Sequence, residues 1–313
     1  MLKRLFFIPV GFALAVGLAA NVAAQTPVED VTVYLPADYD ESNPCSLVIS
    51  LHGYGGFGAS QELRFPISET AALRNTICAF PTGALDSNFQ HYWNATDACC
   101  DNVDGVLENL DHVGYLAELI AYLSSEYSID PRRVHLLGHS NGGFMVYRMA
   151  CDRADLIASI VPISAATWFD PAMCVPAVPV SVLHIHGTND PTIAYEGGSI
   201  GGAAYPGAEA SAAMWASNNE CSDEPKATED IFDAPYSSSR LVYPACHLGS
   251  SVELWTLHNV THVPSLPAEA IELIFDFFDA HPKPSCLGDL DGDDVVDGAD
   301  IGLLLSTWDV AGI

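Results

Sequence analysis

Residues 134–144 read Val-His-Leu-Leu-Gly138-His139-Ser140-Asn141-Gly142-Gly143-Phe144. Residues 134–137 have the pattern of a short buried strand. Beyond the glycines, Met145, Val146 and Met149 continue at helical spacing over residues 142–150. Between them lies Gly-x-Ser-x-Gly. Strand, tight turn and helix in that order make a nucleophile elbow. The turn presses two backbones together, so its flanks must lack side chains. Gly138, Gly142 and Gly143 meet that demand, and Ser140 is left standing at the end of the strand. The bland alternative is a glycine turn that only joins a strand to a helix.

Further out, strand and helix patterns alternate. Residues 31–35, 46–51, 76–80, 159–163, 178–185 and 251–257 read as strands, and 110–127, 208–217 and 267–280 as helices. Short apolar strands separated by amphipathic helices predict an α/β fold, a mostly parallel sheet with helices on both faces. Ligands of such sheets bind beyond the carboxyl ends of the strands, so those loops are where chemistry is expected.

A serine hydroxyl needs a base, and the base needs a carboxylate to fix its tautomer and stabilise its charged form. In sheets of this kind the order is Ser, Asp or Glu, His. Asp190 follows the strand at 178–185 in a turn closed by Pro191, and His262 lies in the loop after 251–257. Ser140, Asp190 and His262 are therefore the expected catalytic set, with His258 as the rival base and an Asx-turn as the plainer role for Asp190. His52, His139, His184 and His186 read as structural or supporting. The oxyanion needs backbone N–H donors already in place. Asn141, next after the nucleophile, is one. Tyr54, in His52-Gly-Tyr54-Gly-Gly56 after an early strand, is the other. Tyr92, Trp93 and Trp168 fall in neighbouring loops and are expected to bind substrate by stacking, unless they simply pack.

The Leu-His-Gly-Tyr-Gly-Gly stretch, residues 132–151 and residues 183–198, with the late His262, resemble the polyhydroxybutyrate depolymerase-like esterases and the related feruloyl esterases of carbohydrate esterase family 1. The resemblance covers roughly residues 31–280. It implies an α/β-hydrolase fold and the same Ser140, Asp190 and His262 assignment. It also implies a secreted serine esterase with no catalytic cofactor, acting on plant-wall feruloyl or acetyl esters or on polyesters. Two departures stand out: Asn-Val-Thr-His262-Val-Pro around the base, and Tyr54 where many relatives have cysteine. Ser140-Asn-Gly-Gly-Phe144 also resembles prolyl-oligopeptidase-like peptidases. A non-catalytic binding protein on a hydrolase scaffold is a third reading.

The 313 residues are 49% apolar and 16% charged, which excludes a disordered chain. With 11 basic and 40 acidic residues the formal charge is −29, and such a surface repels phosphate backbones, so nucleic-acid binding is excluded. Residues 1–24 have a basic start, an apolar run and small residues before Gln25, the pattern of a secretory signal peptide, a membrane anchor being the alternative. No later apolar run is long enough to span a bilayer, so a secreted, extracellular or periplasmic protein without a membrane after cleavage is expected. Export permits disulfides among the nine cysteines, and Cys221–Cys246 is the expected bridge.

Composition changes at the proline-rich residues 281–286. The catalytic domain is thus expected at 25–280, a linker at 281–286 and a small module at 287–313. From Cys286 onward there are seven acidic residues and no basic one. Asp289, Asp291, Asp293, Asp297 and Asp300 fall at positions 1, 3, 5, 9 and 12 of a calcium loop, and Val295 offers its carbonyl at 7. Hard cations want such converging oxygens. The segment resembles one EF-hand-like repeat of a type I dockerin. That implies bound calcium and raises a cohesin-like partner as an expectation.

Overall fold

The computed structural model describes residues 2–4, 31–100, 110–222, 224–283 and 298. In chain order its strands are β1 (Leu2–Arg4), β2 (Thr32–Leu35), β3 (Cys45–Leu51), β4 (Thr76–Phe80), β5 (Ala84–Leu85), β6 (His91–Tyr92) and β7 (Ile129–His139). There follow β8 (Ser159–Ile163), β9 (Ser181–Gly187), β10 (Gly197–Ile200), β11 (Ala203–Pro206), β12 (Lys226–Glu229), β13 (Ser238–Tyr243) and β14 (Val252–Leu257). The helices are α1 (Gly58–Arg64), α2 (Ser68–Leu73), α3 (His112–Glu126), α4 (Asn141–Asp152), α5 (Ala208–Asn218) and α6 (Ala268–Ala280). Ten strands form one sheet in the order β1-β2-β4-β3-β7-β8-β9-β14-β13-β12. The six from β4 to β14 run parallel. Antiparallel strands finish both edges. β5–β6 and β10–β11 are separate two-stranded ribbons.

β3, β4, β8 and β9 are buried along their whole length, as parallel strands covered on both faces must be. Alternate side chains feed two cores. Leu47, Ile49 and Leu51 of β3 join Leu119 of α3, Met145 of α4 and Trp215 of α5. Val48, Leu137 and Ile185 join Ile274 and Phe278 of α6 in the other. At roughly 2 kcal/mol for each fully buried Leu, Ile or Phe, α6 is held by this apolar face more than by its own helix propensity. β7 begins at Ile129, earlier than the expected 134, because Ile129 already pairs with Cys45.

Cys221–Cys246 is bridged, and so are Cys151–Cys174 and the adjacent pair Cys99–Cys100. Cys45 and Cys78 are buried thiols. No helix among the described residues is long and apolar enough to cross a membrane. Residues 5–24 of the expected signal peptide lie outside the described residues. So do the expected calcium ligands Asp289, Asp291, Asp293, Val295, Asp297 and Asp300, with the dockerin-like repeat they belong to.

Candidate active site

β7 delivers Ser140 and α4 leaves it at once. Ser140 has φ 55° and ψ −121°, a conformation that side chains other than glycine's rarely adopt. Such a residue costs on the order of 1–3 kcal/mol and persists because its surroundings over-determine it. Here they do so by contact. A Cβ on Gly138 would lie 2.2 Å from the Gly142 carbonyl oxygen, and one on Gly142 would lie 2.3 Å from that of Leu51. The Ser140 N–H donates to the Ile163 carbonyl at 2.9 Å, tying the turn to β8.

Three side chains from three carboxyl-end loops converge. Ser140 Oγ is 2.9 Å from His262 Nε2, and His262 Nδ1 is 2.7 Å from Asp190 Oδ2. A carboxylate only accepts, so Nδ1 carries the proton and Nε2 is left bare to accept from the serine hydroxyl. The other Asp190 oxygen accepts the N–H groups of Thr192 at 2.8 Å and Ile193 at 2.9 Å. Burial alone would raise the Asp190 pKa, but hydrogen bonds from His186, His262 and the Ile193 amide outweigh it. They hold the carboxyl well below the usual carboxylate range. His258, the rival base, sits instead beside β13, with Nε2 3.2 Å from Ser239 Oγ.

His139 fixes the loop that carries His262. Its Nε2–H donates to the His262 carbonyl at 2.9 Å, and the two rings meet at a tilt with centroids 4.9 Å apart. Burial pushes the His139 pKa down to about 3, so it adds no charge beside the His262 ring.

The 52–56 loop presses against Ser140: a Cβ on Gly53 would lie 3.2 Å from Ser140 Cβ. Tyr54, next in that loop, is half-buried, and its hydroxyl donates to Asp86. Asn141 is the first residue of α4, where backbone N–H groups have no partner within the helix and the helix dipole is positive. Trp93 brackets the two segments. Its backbone N–H and C=O meet Oδ1 and Nδ2 of the Asn141 side chain at 2.7 Å each, and its indole N–H donates to the His52 carbonyl at 3.0 Å. The expected stacking role of Tyr92 and Trp93 is therefore corrected. Both are at most 1% exposed, so neither offers a ring face to a substrate. Trp168 remains half-buried just beyond β8, followed by exposed Phe169. Sequence reading missed the Trp93 bracket, and also the Cys99 sulfur 3.4 Å from Asn141 Nδ2. Neither leaves a local signal, since both depend on contacts some 40 or more residues apart along the chain.

A family model described as "Putative esterase" matches residues 28–241. Feruloyl esterase B of Piromyces equi is 28% identical over 240 residues, which is 74% of this chain and 42% of that one. A bifunctional acetylxylan esterase/xylanase of Neocallimastix patriciarum is 26% identical over 53% of this chain and 22% of its own. The chain thus spans less than half the length of these two relatives. Among solved structures, an acetyl xylan esterase from Aspergillus awamori aligns with TM-score 0.59 at 14% identity. The alignment covers 80% of this chain and 93% of that one, and at such identity the likeness is one of fold.

Proposed function

The chain belongs to this esterase family, and on that premise we propose that it is a secreted serine hydrolase of carboxylic esters linked to plant polysaccharides, feruloyl or acetyl. The observation behind the proposal is the unbroken chain from Ser140 Oγ through His262 to Asp190, at 2.9 and 2.7 Å. Ser140 Oγ attacks the ester carbonyl while its proton passes to His262 Nε2. Asp190 stabilises the imidazolium that forms. The carbonyl oxygen becomes an oxyanion, held by the Tyr54 and Asn141 amides. Collapse expels the alcohol, which takes the proton from His262. Water, deprotonated by the same nitrogen, then releases the acid and restores Ser140. The substrate class is favoured by the relatives, which are named feruloyl and acetylxylan esterases. Three disulfides among the described residues suit an oxidising compartment.

The test is a panel of p-nitrophenyl acetate, methyl ferulate, acetylated xylan, polyhydroxybutyrate film and a peptide chromogen. Ester turnover is expected, with release of ferulate or acetate from the polysaccharide-type substrates. Ser140→Ala should abolish it while keeping the fold. Release of product from the film alone moves the substrate to polyesters, and activity on the peptide alone overturns the reading.

A further inference from the structure

Two histidines of β9, His184 and His186, point to the same face of the sheet and lie behind Asp190. Both are buried, as is Tyr147 of α4. The Tyr147 hydroxyl is 2.8 Å from His184 Nδ1, and His184 Nε2 is 3.0 Å from His186 Nδ1. His186 Nε2 is 2.9 Å from the Ile193 carbonyl and 3.4 Å from Asp190 Oδ2, the same oxygen that receives His262. Aromatic rings wall the row. Trp215 stacks on Tyr147 with centroids 5.8 Å apart, and Tyr195 meets His186 edge-on at 5.7 Å.

The end of the row fixes its direction. At His186 Nε2 both neighbours are acceptors, a carbonyl and a carboxylate, so that nitrogen must carry a proton. In the neutral ring Nδ1 then accepts, and His184 Nε2 is the donor it accepts from. His184 Nδ1 in turn accepts from Tyr147. The reverse order would set a bare His186 Nε2 against two oxygens in a site from which water is excluded. Burial keeps Tyr147 protonated, its pKa raised well above the ordinary value, and drives that of His184 well down, so both are neutral as the row requires.

We propose that Tyr147, His184 and His186 form a one-way hydrogen-bond relay that positions Asp190, with His186 as a second donor to the oxygen that orients His262. The row starts on the helix that begins beside the nucleophile and ends at the acid, so it couples the two halves of the site through the core. The role in turnover rests on the esterase reading above; the effect on the His262–Asp190 bond does not.

The experiment compares His186→Leu, His186→Gln and Tyr147→Phe with the unaltered protein. One measurement is kcat and KM on p-nitrophenyl acetate. Another is the proton NMR resonance of the N–H shared by His262 and Asp190. Hydrogen-bond partners behind metal-ligating side chains typically cost about 10–100-fold when removed, and a loss of the same order is expected here. His186→Leu is expected to lower kcat about 10–100-fold, leave KM within about twofold and displace the resonance. His186→Gln keeps an amide N–H near Nε2 and should recover most of kcat and the original resonance. Tyr147→Phe, which leaves the Asp190 surroundings in place, should give a smaller fall in kcat with KM unchanged, and it serves if His186→Leu does not fold. A folded His186→Leu with unchanged kcat and resonance overturns the relay. So does equal damage by Leu and Gln. An unaltered protein that turns over no ester would sink the esterase reading by itself, and the resonance would still decide the relay.

Discussion

Asn141, Gly142 and Gly143, just after Ser140, are all buried, whereas Asn259, Thr261 and Val263, around His262, face solvent. The elbow is located by volume: a Cβ on Gly138 or Gly142 would meet backbone at 2.2–2.3 Å, and one on Gly143 a neighbouring methyl at 2.5 Å. The loop is located by a few directional bonds. Asn189 N–H donates to the Val260 carbonyl at 3.0 Å, Asn259 N–H to Thr188 Oγ1 at 2.8 Å, and His139 to the His262 carbonyl at 2.9 Å. Steric confinement belongs to the fold's stability, and hydrogen-bonded placement belongs to the chemistry. Damage to the two regions should therefore appear in different measurements.

The sharpest separation comes from the loop. Removing the base of such a set costs on the order of 10⁴–10⁶ in kcat. His262→Ala should show that loss with a melting temperature unchanged within about 2 °C, because the ring is partly exposed and the elbow does not lean on it. A large fall in melting temperature would erase the distinction. Gly142→Ala should do the opposite. Its new methyl meets the Leu51 and His52 carbonyls, which cannot yield without moving β3, and a cost of about 3 kcal/mol or more is expected. Denaturant unfolding measures it, and wild-type stability would show that the elbow has slack.

Residue for residue, the smallest effect concerns acid. Loss of hydration lowers the pKa values of His52 and His112 to about 4 and of His135 and His139 to about 3, with unfolded values near 6.5. As pH falls below 6.5 the unfolded chain takes up protons that the folded chain refuses. Stability must drop with pH until the folded-state values are reached. About 1 kcal/mol per buried histidine is expected by pH 5.5 relative to pH 7.5. Asp190, with its lowered pKa, adds to this loss only at lower pH, below the ordinary carboxylate value. A flat stability profile between pH 7.5 and 5.5 would mean that these rings are hydrated.

The legibility of the sequence follows the same division. The elbow is local: Gly138 to Gly143 state their steric demand within six residues, and β3, β4 and β8 announce themselves as apolar runs. Asp190 and His262 are readable because chain order in an open parallel sheet determines which loops reach one rim. Tyr92 and Trp93 were misplaced because a polar, turn-rich neighbourhood reads as a surface loop. Their burial comes from α3 and α4 closing over them, visible in the ring contact of Trp93 with His112 at 5.5 Å. The same holds for the direction of the Tyr147 row, for Cys151–Cys174, and for the β5–β6 ribbon, whose two-residue strands lie below any periodic signal.

The Trp93 bracket has a practical outcome for anyone wishing to retune selectivity. Trimming that indole to widen the cleft would unfasten His52 on one side, and disturbing its backbone would loosen Asn141 on the other. Substitutions at exposed Phe169 and Val263 leave that fastening untouched, so variety is better introduced there than at the indole.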